Sequence, residues 1–376
     1  MTDVPGNAAG RKRDSDRTLR VLHVVRSTAF AGTERHVLEL VSELRAAGCE
    51  ADLTCPRAAQ MLRREATAAG VPLRPILGEF RGDADIVHVH DGRSAVLGLG
   101  LAVLERAALV RTQHFVRPAS AARPGWRGHT SLLAHRLING RLDGYVCVSD
   151  AAAGAARERR DAVGAALAVI PSGVRLASDV DAERARVARA DAASPVVVTA
   201  GRLERERRID VLLDAIRLVR YSFPSCRFVV AGAGHAEAEL KSQGRALGLE
   251  TAIDWTGWLP EIGPILAQGH VYVNTWPNEG FGMATAEAMG YGLPVIVTDT
   301  GASPELIEDG ISGMVVKAVD PPALASKICE LLSDRGRAER IGAAARARAS
   351  NRYSFRSTAA SMLDFYEQLP RVRRER

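Results

Sequence analysis

Short apolar runs alternate with longer amphipathic stretches along most of the chain. The first run, residues 20–25, is followed by a stretch at 33–47 whose apolar residues recur at helical spacing. Gly48 predicts the end of that helix, because glycine readily adopts the left-handed conformation that closes many helices. Further runs in this part that predict strands are residues 51–55, 86–90, 109–113 and 145–149.

This alternation breaks after residue 174, and residues 175–194 are rich in alanine, arginine and aspartate, so we place the domain boundary within residues 172–194. A second series of strands and helices begins at Pro195, and a late helical stretch at 354–369 is expected to pack back across the first half. The pattern predicts an α/β protein in which two nucleotide-fold domains enclose a cleft. The predicted divisions are a disordered lead-in at 1–19, a first domain at 20–173, a linker at 174–194, a second domain at 195–352, and a crossover helix with a basic tail at 353–376.

Length and composition agree with two globular domains. The chain has 376 residues, too many for one ordinary core, and 47% hydrophobic with 25% charged residues is typical of a soluble protein. No apolar run approaches the roughly 18 residues that span a bilayer, and the polar N-terminus lacks the apolar segment of a secretory signal. Five widely spaced cysteines indicate reduced thiols. We therefore expect a cytoplasmic protein.

The net charge of +6 indicates an anionic partner, for which nucleotide phosphates, anionic lipid and nucleic acid all qualify. Nucleic acid is disfavoured, because the arginines are scattered and aromatic residues make up only 5% of the chain.

The most informative segment runs from residue 278 to residue 297. A glycine-flanked turn there follows a predicted strand and opens a predicted helix, whose free N–H groups suit an anion. Glu279 and Glu287, with seven residues between them, bracket the start of that helix. Since a carboxylate accepts two hydrogen bonds from a vicinal diol, the segment favours a phosphorylated, polyhydroxylated ligand. The alternative is a strand–turn–helix unit whose glycines only pack.

Two further turns follow predicted strands of the second half. In the first, Gly201 allows the chain to turn, and Arg202 and Arg207 can converge on a diphosphate and offset the charge that builds on it. In the second, Gly232 and Gly234 form a Gly-x-Gly turn that allows close approach of a nucleotide. The alternatives are an exposed charged loop and a tight turn into a helix.

In the first half, the candidate residues follow predicted strands on one rim. Gly32 can present backbone N–H groups toward the cleft. The His88-x-His90 pair resembles a metal site, but no carboxylate or cysteine completes it convincingly, so we expect no metal. His114 is a better candidate for a hydrogen bond to a sugar hydroxyl or to the backbone near a reacting carbon.

Several motifs of other enzyme classes are missing from the sequence. It contains neither the Gly-x-Ser-x-Gly elbow of a hydrolase nor a P-loop. Neither half carries Gly-x-Gly-x-x-Gly after its first strand, which disfavours a nicotinamide or flavin enzyme.

The segment from Glu279 through Glu287 to Ile296 resembles the E-x7-E signature of family 4 of the retaining glycosyltransferases. The resemblance covers residues 20 to about 369 and implies the GT-B architecture: two Rossmann-like domains facing each other across a cleft, with a C-terminal helix crossing back. It implies a retaining hexosyltransferase-like enzyme that needs no metal or other cofactor. Its co-substrate would be a nucleotide sugar, with UDP or GDP as the favoured nucleotide.

The resemblance also implies roles for individual residues. Arg202 would bind the donor diphosphate, with Arg207 beside it where a lysine is usual. Glu279 would bind hydroxyls of the transferred sugar, Glu287 would bind the ribose, and His114 would lie beside the reacting sugar. The residues implied to line the donor site through their backbones are Gly32, Gly280, Phe281, Gly282 and Met283. We expect front-face substitution, in which the leaving diphosphate takes the proton of the acceptor.

The acceptor side is less informative in sequence. A basic amphipathic stretch around Trp126 is typical either of a solvated helix face or of a helix resting on an anionic membrane. A helix on the membrane suits a lipid-linked acceptor in surface-polysaccharide synthesis at the inner membrane face. A glycan or small-molecule acceptor fits a solvated helix. Two other functions stay open: another nucleotide-sugar enzyme, such as an epimerase, and a non-catalytic nucleotide-sugar-binding or scaffold protein. A scaffold should not hydrolyse the donor.

Overall fold

The protein forms two six-stranded parallel sheets, each covered by helices, which confirms the predicted α/β class. This computed structural model describes residues 18–28, 32–75, 83–92, 94–116 and 138–374. The lead-in predicted at 1–19 lies almost entirely outside these ranges, as do most of the basic stretch around Trp126 and the end of the basic tail. The predicted domain boundaries remain predictions.

The first sheet has the strand order β2-β1-β3-β4-β5-β6. Its strands are β1 (Arg20–Val24), β2 (Glu50–Thr54), β3 (Ile86–Val89), β4 (Ala108–Gln113), β5 (Gly144–Cys147) and β6 (Ala166–Val169). Its helices are α1 (Gly32–Ala46), α2 (Gln60–Ala68), α3 (Ser94–Glu105) and α4 (Asp150–Glu158). The strand order reverses between β1 and β3, which is where an open parallel sheet binds its ligands.

The second sheet has the order β12-β11-β10-β7-β8-β9, with its reversal between β7 and β10. Its strands are β7 (Val196–Ala200), β8 (Arg227–Ala231), β9 (Ile253–Gly257), β10 (Val271–Asn274), β11 (Val295–Thr298) and β12 (Met314–Val316). The helices from the linker onward are α5 (Asp179–Ala190), α6 (Ile209–Ser222), α7 (Glu237–Ala246), α8 (Gly263–Gln268), α9 (Met283–Gly290), α10 (Ser303–Leu306), α11 (Pro321–Ser333) and α12 (Arg335–Arg352).

Local sequence signals explain where some of these helices begin and end. Gly48 has a φ of +89° just beyond α1, in agreement with the predicted helix end. Helix α5 lies inside the segment that was predicted only as a linker. The hydroxyl of Ser178 caps it by accepting from the backbone N–H of Asp181, but only Ala182 and Ala185 are buried. So few apolar positions give no helical periodicity, which is why the sequence did not predict α5.

The C-terminal helix returns to the first domain, as predicted. After α12 the chain forms α13 (Phe355–Gln368) and a last turn, α14 (Pro370–Arg374). Helix α13 packs on α1, and Met362, Leu363 and Tyr366 are buried in the first domain's core. A backbone hydrogen bond of 2.8 Å from Val174 N–H to the carbonyl of Tyr353 ties the outgoing and returning segments together.

All five cysteines are free, and four of them are buried. Within the described ranges, no helix has both the length and the hydropathy needed to cross a bilayer.

Candidate active site

A cleft of about 350 Å³ opens between the two domains. The loops that follow β1 and β4 form one wall, and those that follow β7, β8 and β10 form the other, so both points of strand-order reversal face the same space. The predicted residues on these walls are Gly32, His114, Gly201, Arg202, Arg207, Gly232, Glu279, Phe281, Gly282, Met283 and Glu287. Gly234 and Gly280 were predicted for the same site but do not line it.

Two guanidinium groups reach the cleft from the loop after β7. Gly201 has a φ of +154°, and a Cβ at this position would lie 2.5 Å from Nη1 of Arg207. The absence of a side chain at Gly201 therefore leaves room for the guanidinium of Arg207, and the neighbouring Arg202 is exposed. A short 3-10 turn, Arg205–Arg207, brings the second arginine into place. Both arginines line the cleft.

Arg207 packs against an indole ring. Its guanidinium carbon lies 4.1 Å from the centroid of the Trp276 ring, and its Nη1 lies 4.0 Å from Oε2 of Glu279. Its backbone carbonyl accepts a 2.8 Å hydrogen bond from the Thr275 hydroxyl. Nε of Arg207 and Nε1 of Trp276 are buried and have no hydrogen-bond partner among the described residues. Two buried donors on one cleft wall suit an anionic ligand.

The two glycines after β8 serve backbone packing. A Cβ on Gly232 would lie 1.8 Å from the carbonyl oxygen of Gly201, and one on Gly234 would lie 2.3 Å from that of Leu203. The loops after β7 and β8 therefore pack backbone against backbone. Gly232 also lines the cleft, whereas for Gly234 the structure favours the tight-turn alternative.

Glu279 is buried and held by hydrogen bonds on both carboxylate oxygens. Oε2 accepts from Nδ2 of Asn274 at 3.2 Å, and Oε1 accepts from the N–H of Gly280 at 3.1 Å. Burial raises the pKa of Glu279, and the nearby Arg207 opposes that rise. These hydrogen bonds fix the orientation of the carboxyl group at the cleft wall.

Helix α9 begins beside the cleft, directly after Gly282, whose φ is +96°. The side chains of Phe281 and Met283 line the wall on either side. Across the cleft a Cβ on Gly32 would meet Sδ of Met283 at 3.4 Å, so the first turns of α1 and α9 face each other. Each helix start presents backbone N–H groups that no helical carbonyl pairs.

Glu287 lies just over one turn inside α9. Its pKa is raised to about 7, mainly by burial; Arg35 and Arg175 pull it down, and Glu261 raises it further. The side chain is half-buried and lines the cleft.

The sequence did not single out several cleft residues. Trp258, Leu259 and Pro260 follow β9, and the ring of Trp258 is 60% exposed at the rim. Arg35 lines the cleft from α1, and its guanidinium donates to the carbonyl of Pro260 in the other domain. Only their position in the sequence could have indicated residues 258–260 as cleft residues, since they directly follow the C-terminal end of a parallel strand.

The two domains touch directly beside the cleft. The Ser149 hydroxyl donates to the carbonyl of Gly280 at 2.8 Å. A Cβ on Gly280 would lie 2.4 Å from the carbonyl oxygen of His114, so this glycine permits the close approach of the domains. The carboxylate of Glu305 accepts from the N–H groups of Asp150 and Ala151, both at 2.7 Å, at the start of α4.

On the first domain's side, His114 joins a group of buried histidines. His23, His88 and His90 are fully buried on one face of the sheet, with ligating nitrogens within 4.8 Å of one another. Burial lowers the pKa of His23 to about 3 and that of His114 to about 3, so the rings are neutral at physiological pH. The nitrogens of His88 bond Tyr366 and Thr112, and those of His90 bond His23 and His114.

The fold and the cleft define a two-domain nucleotide-sugar enzyme of the GT-B architecture. Residues 30–178 match the family model described as Glycosyltransferase Family 4, and residues 194–334 match the model described as Glycosyl transferases group 1. The D-inositol 3-phosphate glycosyltransferase of Xylanimonas cellulosilytica is 30% identical over 338 residues, which are 82% of this chain and 77% of that protein. The chain therefore belongs to glycosyltransferase family 4.

Other similar proteins agree with this assignment. The phosphatidyl-myo-inositol mannosyltransferase of Mycobacterium leprae is 28% identical over 360 residues, covering 89% of this chain and 92% of that protein. The crystal structure of Anabaena Alr3699/HepE in complex with UDP has a TM-score of 0.80 at 20% identity, covering 93% of this chain and all of that one. That structure supports the fold. The predicted glycosyl transfer from a nucleotide-sugar donor is confirmed.

Proposed function

We propose that this enzyme transfers a sugar from a nucleoside diphosphate sugar with retention of anomeric configuration. In this proposal Arg202 and Arg207 bind the donor diphosphate, Glu279 binds the sugar hydroxyls, and Glu287 binds the ribose diol. The observation that carries it is the 4.0 Å separation between Arg207 and Glu279 on one wall of the cleft, opposite the wall that carries His114. That spacing brings a diphosphate and the attached sugar within reach of adjacent groups.

The reaction we propose is substitution on one face of the sugar. The bond from the anomeric carbon to the diphosphate oxygen breaks while the acceptor oxygen bonds to that carbon from the same side. The acceptor's proton passes to the departing diphosphate oxygen. The two arginines offset the negative charge that grows on the diphosphate, and a preorganised charge of this kind is commonly the largest catalytic effect. In this mechanism Glu279 binds the sugar and does not attack it or transfer a proton, because both of its oxygens already accept hydrogen bonds.

The proposed donor nucleotide is UDP or GDP. The Anabaena structure contains UDP, and a Mycolicibacterium smegmatis relative is described as GDP-mannose-dependent. A thermal-shift panel of UDP, GDP, ADP and TDP sugars tests this choice, because a bound donor stabilises the folded state by mass action. We expect a rise in Tm with UDP or GDP sugars. Stabilisation by ADP or TDP sugars alone would contradict the proposal.

For the acceptor we propose a polyol hydroxyl beside a phosphate. Two of the relatives are named for phosphatidylinositol and inositol 3-phosphate, and the net charge of +6 suits an anionic acceptor. Incubation with labelled donor and either free inositol phosphate or phosphatidylinositol vesicles separates a soluble from a lipid-linked acceptor. Transfer to vesicles, with co-sedimentation that weakens in salt, would support action at an anionic membrane surface.

One experiment tests the proposal as a whole. The purified enzyme, given the donor that stabilises it most, should hydrolyse it slowly and release the sugar with its original anomeric configuration, observed by proton NMR. Release of the opposite anomer would contradict the front-face mechanism. Absence of both hydrolysis and transfer, with the donor bound, would favour a binding or scaffold protein.

A further inference from the structure

Three histidine rings form a continuous hydrogen-bonded chain from the interior of the first domain to the cleft. Nδ1 of His23 lies 2.9 Å from Nε2 of His90, and Nδ1 of His90 lies 3.4 Å from Nε2 of His114. The chain exists because β1 and β3 are neighbours: His23 pairs with His88, and His90 follows two residues later on the same face. Its outer member, His114, lines the cleft.

The direction of the two N–H···N bonds fixes the tautomer of every ring. A neutral imidazole carries one N–H and one bare nitrogen, so the bond made by one nitrogen decides the state of the other. Only two arrangements satisfy both bonds. In the first, every Nδ1 carries the hydrogen, His23 donates to His90, and His90 donates to His114. In the second, every Nε2 carries it and the bonds run the opposite way.

The two ends of the chain favour the first arrangement. Nε2 of His23 is buried and has no partner within the described residues. The second arrangement would strand an N–H donor there, whereas the first leaves a bare nitrogen, and orphaned buried N–H groups are rare in folded proteins. His114 is half-buried and lines the cleft, and its Nδ1 makes no hydrogen bond with a described residue. Every sugar and phosphate oxygen has lone pairs to accept from it.

We propose that His90 is a positioning residue which, backed by His23, holds His114 in the Nδ1–H tautomer, so that His114 offers a fixed hydrogen-bond donor to the donor sugar. This inference rests on the proposed function, in which His114 lies beside the reacting sugar. It assigns His90, the second histidine of the buried His-x-His pair, a purpose other than metal binding. His88 is held separately, by Tyr366 at Nδ1 and by Thr112 at Nε2, and takes no part in the chain.

The effect on the reaction is one of preorganisation. An imidazole free to exchange tautomers would spend part of its time with a bare nitrogen toward the sugar and would then repel its oxygens. A ring held on its far side by His90 keeps both its orientation and its N–H, so no reorganisation is needed as the bond breaks. The loss should therefore fall on kcat more than on the binding of the nucleotide.

The first test reads the tautomer directly in the ligand-free enzyme. The chain has nine histidines, and 15N labelling of their rings with long-range 1H–15N correlation distinguishes protonated from bare nitrogens. His114→Gln serves only to assign the His114 signals. We expect a protonated Nδ1 and a bare Nε2 for His114 and for His90. A His114 ring protonated at Nε2, or one that exchanges between tautomers in the wild-type enzyme, would overturn the proposal.

The second test uses two substitutions of His90. His90→Asn places an amide N–H where Nδ1 was, and His90→Leu removes the donor. We expect His90→Leu to lose the single His114 tautomer and to lower kcat about tenfold, the worth of one hydrogen bond, with donor KM little changed. His90→Asn should restore both. The matched control is Tyr366→Phe, which removes a buried hydrogen bond from the same cluster; it should lower Tm but leave the His114 signals and kcat unchanged.

Three results would contradict the proposal: a His90→Leu enzyme with the wild-type tautomer and kcat, a Tyr366→Phe enzyme that loses kcat as much as His90→Leu, or stoichiometric metal bound through His23, His88 and His90 in the purified protein. If His90→Leu does not fold, the proposal is still tested by the His114 tautomer in the wild-type spectrum and by the tautomer and kcat of His90→Asn. The spectra need no substrate. An enzyme that turns over no UDP or GDP sugar would therefore contradict the proposed function, while the tautomer of His114 could still be measured.

Discussion

The guanidinium carbon of Arg207 lies 4.1 Å from the centroid of the Trp276 ring, inside the cleft and beside Glu279. A planar guanidinium can stack on an indole face while its edge binds a phosphate, and an ammonium group cannot do both in the same way. The stack therefore gives a physical reason for an arginine where the family resemblance leads one to expect lysine: Trp276 orients it.

A double-mutant cycle tests this coupling. Arg207→Lys and Trp276→Leu should each lower kcat/KM by tenfold or more, since a buried cation–π contact contributes about 2 kcal/mol. The double variant should lose clearly less than the product of the two, because either change alone removes the stack. Trp255→Leu is the control, as Trp255 lies outside the cleft beneath Lys241, at 5.9 Å. Additive effects at Arg207 and Trp276 would contradict the coupling.

Arg202→Ala should reduce kcat by about a hundredfold or more while the protein stays folded, because it removes charge that stabilises the leaving diphosphate. The measurement is initial-rate kinetics with the preferred donor, together with a melting curve. Arg205→Ala is a matched control from the same loop, since Arg205 is exposed and pairs with Glu239 at 2.8 Å. Activity of Arg202→Ala within a few-fold of wild type would remove this role.

Glu287 should make stability depend on pH in the ligand-free enzyme. Its pKa rises from 4.5 to about 7 on folding, so the folded state holds a proton that the unfolded state has already lost between these values. The free energy of unfolding should therefore fall as the pH rises from about 4.5 to about 7, by at most ~3 kcal/mol.

Urea unfolding at pH 5 and pH 7.5 measures this effect, and Glu287→Gln should flatten it. The Gln variant should also bind the donor more weakly, because an amide offers one acceptor oxygen where the carboxylate offers two. Identical pH profiles for the variant and the wild type would show that Glu287 is not the group responsible.

Gly280→Ala should block closure of the domains. The added Cβ would lie 2.4 Å from the carbonyl oxygen of His114, in backbone that cannot move aside cheaply. We expect at least a tenfold loss of kcat/KM, because groups on the two walls of the cleft would no longer be correctly oriented. Small-angle scattering should report a larger radius of gyration. Gly154→Ala, on α4 with open space around it, is the control and should keep full activity. A compact, fully active Gly280→Ala enzyme would contradict the role of this contact.

Periodic patterns and short motifs in the sequence predicted much of the fold and of the candidate site. The alternation of apolar runs with helical stretches predicted parallel sheets and a last helix at 354–369, because strand and helix periods are set locally along the chain. The glycine turns and carboxylates at Gly201 and at Glu279 to Glu287 likewise mark strand ends, where ligands of open parallel sheets bind. Helix α5 escaped prediction because so little of it is buried.

What the tertiary structure alone decided is how residues far apart in the chain meet. Strand order places His23 beside His88 and so builds the chain that ends at His114. The backbone of Gly201 packs closely against Gly232, where a side chain would not fit. Between the domains, the carbonyl oxygen of His114 packs closely against Gly280. The stacking of Arg207 on Trp276 depends on a loop after β7 folding toward a loop after β10. A single sequence states the period of each element but not its neighbours, because those contacts form only when the sheets assemble and the domains close.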